Sequence, residues 1–428
     1  MKKFVVGRAA FLRMLTGGVA IQALLSGSNF AVGLLLVRRT PDAQYGYYVL
    51  VSTIVLLSVI LQGAYIQPPM IIRLTRWERA ARADLIGGLL RDQRRMIPFI
   101  LVFAAALLAL LQLAGRLSLP LTAIVVSGTL AVIAALRREF FRMVLFAHRR
   151  PNDVLKGDLL YCALFVGGAF LATLSGYAAA ATAAVLAVSS FIASEVLSRA
   201  LRGHEPWNPD APPGKLREIA HEGAWSSFGG GVHWLFSQGY NYVVAGTLDV
   251  RAVAAIAATR LLVMPVGLLS TGIGTLMLPT ATRWTQERSA RSVLQRLALF
   301  AFGLALMSAC YLLMMWLGRE WIFDSLLKKR FADRDMLIAT WSCIALVTIF
   351  RDQLIYFLVA RARFRLTSTI TLFSAILSFS ISLAAMRTLG VIGALLGLLA
   401  GELANVAGII AFSIREARRR PGELPGPA

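Results

Sequence analysis

Twelve apolar segments of about 20 residues, strung between arginine-rich links, take up most of this 428-residue chain. Each is long enough, at about 1.5 Å per residue of helix, to cross a hydrocarbon core of roughly 30 Å. The segments are continuously apolar rather than alternating, so they predict helices and not the strands of an outer-membrane barrel. Composition agrees, with 57% hydrophobic and 15% charged residues, where a soluble chain carries roughly 25% charge. The expected fold class is an all-α integral membrane protein, with twelve transmembrane helices in two pseudo-symmetric six-helix lobes.

Hydropathy places spans near 16–37, 47–72, 96–115, 118–136, 158–175, 178–198, 223–247, 252–280, 297–317, 336–358, 366–386 and 390–413. With the N-terminus inside, 32 of the 44 Lys and Arg residues fall in inner links, and only Arg260 and Arg351 fall within spans. The net charge of +22 is therefore a positive-inside signature. It predicts a multi-pass membrane protein with both termini cytoplasmic, basic rims that meet membrane lipids, and no nucleic-acid partner. The basic link 318–335 goes against the rule, although Glu320, Asp324, Asp333 and Asp335 nearly neutralise it. The first apolar run ends at Arg38-Arg39 without a small-residue cleavage site, so it reads as a span and not as a signal peptide. Cys162, Cys310 and Cys343 are too scattered for a metal site.

The proline-rich link 199–222 divides the chain. The organisation expected is an N-terminal six-helix lobe (1–198), a cytoplasmic inter-lobe linker (199–222), a C-terminal six-helix lobe (223–414) and a cytoplasmic tail (415–428). A faint repeat at an offset of 213 supports duplication: Ser28 meets Asn241, and Arg38 meets Arg251. Six spans per half keep both copies in one orientation, which puts a substrate path at the seam of a transporter. A one-piece channel, or a membrane enzyme with a lateral cleft, is the alternative.

Polar residues inside spans are costly against lipid and mark candidate sites. Spans 1 and 7 are the richest in them, with Asn29 in the first and His233, Tyr240 and Asn241 in the second. They either line a wet cavity or join helices to one another. Arg260 is a candidate fixed cation for an anionic substrate group, the alternative being an arginine that snorkels to a headgroup. Arg351 reads equally as part of the substrate path or as the structural partner of a carboxylate. Glu402, Asp352 and Glu195 are the candidate coupling or counter-charge groups, and Asp158 reads as a helix N-terminal group. Pro265 and Pro279 interrupt span 8 and are hinge candidates. There is no GxxxxGK[ST] stretch for ATP and no His and carboxylate cluster at a rim. No catalytic residue, metal or cofactor is expected, and an ion gradient, of protons or sodium, or the substrate's own gradient remains as the energy source.

The segment LLLVRRTPDAQYGYYVLVSTIVLL (34–57) has an apolar run, Arg38 and Arg39, a turn with Pro41, then Tyr45 and Gly46 before the next helix. Residues 250–283 carry Arg260, then Pro265, then Pro279 before Arg283. In both places the chain resembles the bacterial polysaccharide-export flippases of the multidrug/oligosaccharidyl-lipid/polysaccharide exporter superfamily. It departs from them at Thr259, where that family usually has Gln. The resemblance implies a two-lobed flippase that moves undecaprenyl-diphosphate-linked oligosaccharide repeat units to the outer leaflet by alternating access, for O-antigen, capsule or exopolysaccharide biosynthesis. It also implies polysaccharide polymerase and export proteins as partners. An ion-coupled drug or small-molecule exporter of the same superfamily, and a membrane-embedded polysaccharide polymerase or ligase, are the alternatives.

Overall fold

The computed structural model describes residues 2–329, 331–361 and 363–418, with side chains described for those outside 2–19, 75–76 and 275–276. The expected tail, 415–428, therefore lies outside the described residues from 419 onward. All regular structure among the described residues is helical: α1 (Lys2–Arg39), α2 (Asp42–Arg76), α3 (Arg79–Leu113), α4 (Leu119–Ala147), α5 (Pro151–Ala172), α6 (Ala178–His204), α7 (Lys215–Glu218), α8 (Ala220–Gln238), α9 (Tyr240–Thr247), α10 (Val250–Glu287), α11 (Ala290–Leu317), α12 (Arg319–Trp321), a π-helical turn (Ile322–Leu327), α13 (Arg334–Ala360) and α14 (Phe364–Arg418). Large apolar side chains face outward along these helices. Phe99 and Phe103 are each 75% exposed, which suits a hydrocarbon environment and not water.

Among the described residues ten helices are long and apolar enough to cross a membrane, where the sequence predicts twelve spans. The difference has two sources. One is α14, whose 55 residues would run roughly 80 Å if straight. It turns instead at Gly390, whose φ of 53° and ψ of −130° lie outside the range open to side-chain-bearing residues. Its two arms then lie against each other. A Cβ on Gly393 would meet the Ala385 backbone at 2.4 Å, one on Gly397 would meet Ser382 Oγ at 2.2 Å, and one on Gly401 would meet Ser378 Cβ at 2.7 Å. Small residues on both arms bring the backbones together, and Ser382 Oγ donates across to the Ala394 carbonyl at 3.1 Å. The other source is the predicted seventh span. It is split into α8 and α9 at Gly239, and its serines, His233 and Gln238 dilute its apolar character.

The chain forms two compact units, Met1–Trp234 and Leu235–Ala428. In the first, α4 packs against α6, α2 and α3, and α5 packs against α1 and α6. Helices continue through the predicted links. α3 begins at Arg79 and α4 runs on to Ala147, because arginine is a good helix former and because Leu85, Ile86, Leu89, Phe140 and Phe141 bury one side of each extension. The 199–222 segment closes over α3. Gly214 N and Leu216 N donate to the Asp92 carboxylate at 2.8 and 2.9 Å, and Asn208 Nδ2 donates to Asp84 Oδ1 at 2.7 Å. Gly87 and Gly88 make the approach possible, since a Cβ on Gly87 would lie 1.9 Å from the Asn208 carbonyl oxygen.

In the second unit α13 packs against α10, α11 and α14, around Leu297, Leu354, Phe357 and Ile409. α10 is unbroken through Pro265 and Pro279, and Tyr311 Oη donates to the Leu262 carbonyl at 2.8 Å beside the first proline. The 318–335 segment balances its charge locally, with Arg334 on Glu320 at 2.6 Å and Arg319 on Asp335 at 3.3 Å.

Candidate functional site

Arg260 projects from the first turns of α10, which starts at the Asp249 cap, where Asp249 Oδ1 accepts from Ala252 N at 2.7 Å. Its Nη1 donates to Gln238 Oε1 at 2.8 Å and to Tyr240 Oη at 3.1 Å. Those two residues straddle Gly239, so the α8–α9 junction turns both acceptors to the same nitrogen. The guanidinium carbon lies 5.4 Å from the centre of the Trp341 ring, and Trp341 packs edge-on against the buried Tyr240. Among the described residues no carboxylate lies within ion-pair distance of Arg260, although Glu402 interacts with its charge from farther off. A cation held by neutral acceptors and an aromatic face keeps most of its charge for a further partner. Asn241, 1% exposed, keeps its Oδ1 unpartnered here. Thr259 turns its hydroxyl to the Ala255 and Ile256 carbonyls of its own helix, so the amide beside Arg260 comes from Gln238 on another helix.

Arg351, Asp352 and Glu402 come together in the same unit. Arg351 Nη1 donates to both Glu402 oxygens at 2.6 and 2.8 Å, while Nε and Nη2 donate to Asp352 Oδ1 at 3.0 and 2.8 Å. Neighbouring helical residues do not share a face, yet the long arginine side chain folds back far enough to reach Asp352. Ser270 Oγ on α10 donates to Asp352 Oδ2 at 3.1 Å. With both carboxylates ionised this triad carries one surplus negative charge, which Arg260 offsets in part through its longer-range interaction with Glu402.

The first unit holds a cluster the sequence does not announce. Arg142 Nε donates to Asp158 Oδ2 at 3.0 Å, and its Nη1 bonds Glu139. Asp158 is fully buried in α5, which starts at Pro151, so it is not the helix N-terminal group expected for it. Arg138 lies over the Tyr161 ring, 3.5 Å from its centre. The other candidates in this unit are separate. Asn29 and His233 are exposed, and Glu195 pairs with Arg137 at 2.5 Å. In the 34–57 motif Arg38 and Arg39 are exposed, with Arg39 over Phe170 at 4.4 Å. Pro41 is the N-cap of α2, and Tyr45 N donates to the Pro41 carbonyl at 3.2 Å, so Tyr45 and Gly46 lie in the first turns of that helix. Among the described residues no group of three or more His, Cys, Asp and Glu side chains is placed to hold a metal ion.

No family model matches the sequence, and no curated protein matches it. Solved structures do match its fold. A multidrug resistance MATE family transporter of the MOP superfamily, in an inward-facing conformation, aligns with a TM-score of 0.70 over 92% of this chain and 94% of that one, at 15% identity. The lipid II flippase MurJ, in an inward closed conformation, aligns with a TM-score of 0.69 over 93% and 87%, at 9% identity. The eukaryotic MATE transporter AtDTX14 aligns with a TM-score of 0.62 over 96% and 99%, at 12% identity. The chain is thus an all-α, multi-span membrane protein. Its fold is that of the MATE and MurJ transporters of the MOP superfamily.

Proposed function

We propose that this chain is an alternating-access transporter of the inner membrane, with both termini cytoplasmic, and that it moves a cargo carrying an anionic group to the outer leaflet. Twelve crossings follow if the arms of α14 count as two and α8 with α9 as one. The observation that carries the reading is Arg260, an intramembrane guanidinium that hydrogen-bonds Gln238 and Tyr240, lies by the Trp341 ring and has no carboxylate within ion-pair distance among the described residues. A polyprenyl diphosphate would take the remaining guanidinium edge, and the sugars would find amide and hydroxyl partners at Asn241 and Tyr240. The cargo is then an undecaprenyl-diphosphate-linked oligosaccharide repeat unit for surface polysaccharide, passed on to polymerase and export proteins. The fold likeness to a lipid II flippase supports this reading.

A second reading, ion-coupled export of a small molecule, is supported by the fold likeness to multidrug resistance MATE family transporters. The surplus carboxylate of the Arg351 triad would take up the coupling proton or sodium ion in either case. Reconstitution into vesicles separates the two cargoes. Flipping of a fluorescent polyprenyl-diphosphate oligosaccharide by the wild type, lost in Arg260→Ala, is the expected result. Gradient-driven uptake of a small organic ion with no flipping of the lipid-linked sugar would move the assignment to the exporter.

A further inference from the structure

The α10–α11 hairpin ends in the segment 283–296, which holds Arg283, Arg288, Arg291 and Arg296 against the single acid Glu287. Glu287 is taken by Arg283 at 2.6 Å, and no carboxylate among the described residues pairs with Arg288, Arg291 or Arg296. Directly beside this end lies an open groove of about 510 Å³ between the two helices, with Trp284 and Arg296 at its head and Ile273, Leu299, Gly303 and Met307 along its length. Arg296 lies over the Trp284 ring at 5.7 Å. Gly303 keeps the wall open, since a Cβ there would meet nothing within 4 Å.

Length selects the occupant. From Trp284 to Ile273 on α10, and from Arg296 to Met307 on α11, the groove covers roughly 16 Å of helix. That is about half of a 30 Å hydrocarbon core, or one leaflet. Its head pairs a tryptophan with unpaired arginines, the combination that sits at the headgroup level, and the rest is apolar. A polyprenyl chain of the kind the proposed cargo carries is several times longer than this slot. The geometry points to a binding site for an anionic phospholipid of the surrounding leaflet, with its phosphate on Arg296, its glycerol against Trp284, and one acyl chain along Leu299, Gly303 and Met307. This site stands apart from Arg260 and does not depend on the cargo.

The test uses the full chain in phosphatidylcholine nanodiscs with small amounts of phosphatidylglycerol or phosphatidylcholine brominated on the acyl chain. The fluorescence difference between wild type and Trp284→Phe isolates the Trp284 signal. Brominated phosphatidylglycerol should quench that signal at roughly one-fifth the mole fraction that brominated phosphatidylcholine requires, the effect of one arginine on an anionic headgroup. Arg296→Gln should abolish the preference, and Gly303→Phe should reduce quenching by both lipids. Both residues border open space, so neither variant threatens the fold. Equal quenching by the two lipids in the wild type would overturn the site, as would a preference that survives Arg296→Gln. Recovery of fluorescence on adding soluble glycerol phosphate would mean an anion site without a lipid. Recovery on adding one equivalent of undecaprenyl phosphate would give the groove to the cargo.

Discussion

Arg351 grips both carboxylate oxygens of Glu402 from a single nitrogen, at 2.6 and 2.8 Å, and turns its opposite edge to Asp352. Arg351 is 14% exposed in its side chain and Glu402 4%, so the pair is shielded from water. Removing the cation leaves the shielded Glu402 carboxylate beside a second one, Asp352, whose side chain is 33% exposed. Arg351→Met should therefore cost about 3–5 kcal/mol of stability. Glu402→Gln should cost far less, because Arg351 keeps Asp352. Thermal unfolding in nanodiscs checks the order, and the double variant Arg351→Met with Glu402→Leu should regain most of the loss. Equal melting of the two single variants would show that the triad is not a coupled unit.

The same surplus charge gives a functional expectation. If proton or sodium uptake by the triad drives the return step, Glu402→Gln should hold its fold and lose gradient-driven transport. The removable charge would be absent while the Arg351–Asp352 pair persists. Vesicles with an imposed pH or sodium gradient provide the measurement. Transport by the Gln variant at the wild-type rate under both gradients would take Glu402 out of coupling.

The Gly397 and Ser382 contact gives α14 a point of sharp sensitivity. Any side chain at Gly397 meets backbone as well as the Ser382 hydroxyl, with Ser382 N at 2.5 Å. Gly397→Leu should separate the two arms and cost at least about 1–3 kcal/mol, read as lost monodisperse protein on size exclusion. Gly167→Leu is the control, because a Cβ there meets nothing within 4 Å. Similar losses in both would indicate a general intolerance of bulk and not this contact.

Asp92 holds the 199–222 segment through charge-assisted bonds from two backbone amides, each contributing about 1.5–3 kcal/mol. Asp92→Ala should free Lys215 and Arg217 to trypsin, seen as faster cleavage into two fragments on a gel. Asp210→Ala, at a side chain 95% exposed, should leave the rate unchanged. An unchanged rate in Asp92→Ala would mean that the Asn208 and Asp84 contact suffices.

What the sequence made legible follows from which forces are local. The spans could be read because membrane insertion depends on runs of apolar residues, and Arg260 and Arg351 stood out because charge within a run is costly. The Gly390 turn was legible only as a gap between spans 11 and 12, since no sequence rule requires the φ of 53°. Asp158 was read as a helix N-terminal group and its pairing with Arg142 escaped notice, because hydropathy assigns Arg142 to a link. Only the continuation of α4 through that link brings it against α5. Trp341 was invisible as a partner of Arg260 for a similar reason: α13 is far along the chain, and a tryptophan in a span carries no signal of what it faces. Gln238 was visible as a polar residue of span 7, but its acceptance from Arg260 depends on the turn of the chain at Gly239.

Arg260 yields the sharpest expectation. Its neutral partners fix the guanidinium plane, so an anion would meet a prearranged donor edge. Arg260→Ala should reduce flipping of a polyprenyl-diphosphate oligosaccharide by roughly 10- to 100-fold at matched abundance, the range expected for losing a charged hydrogen bond to a ligand. Arg260→Lys should restore only part of this, since an ammonium keeps the charge but loses the fork and the stacking on Trp341. Gln238→Leu should weaken transport less than Ala at 260, because Tyr240 still orients the group. An arginine that merely snorkels predicts a different set: Lys replaces it fully, Gln238→Leu is silent, and Ala changes only insertion. Vesicle flipping assays on the four proteins, with abundance measured in parallel, decide between the two. Full activity of Arg260→Ala would remove the fixed cation and leave the anionic cargo without its main physical support.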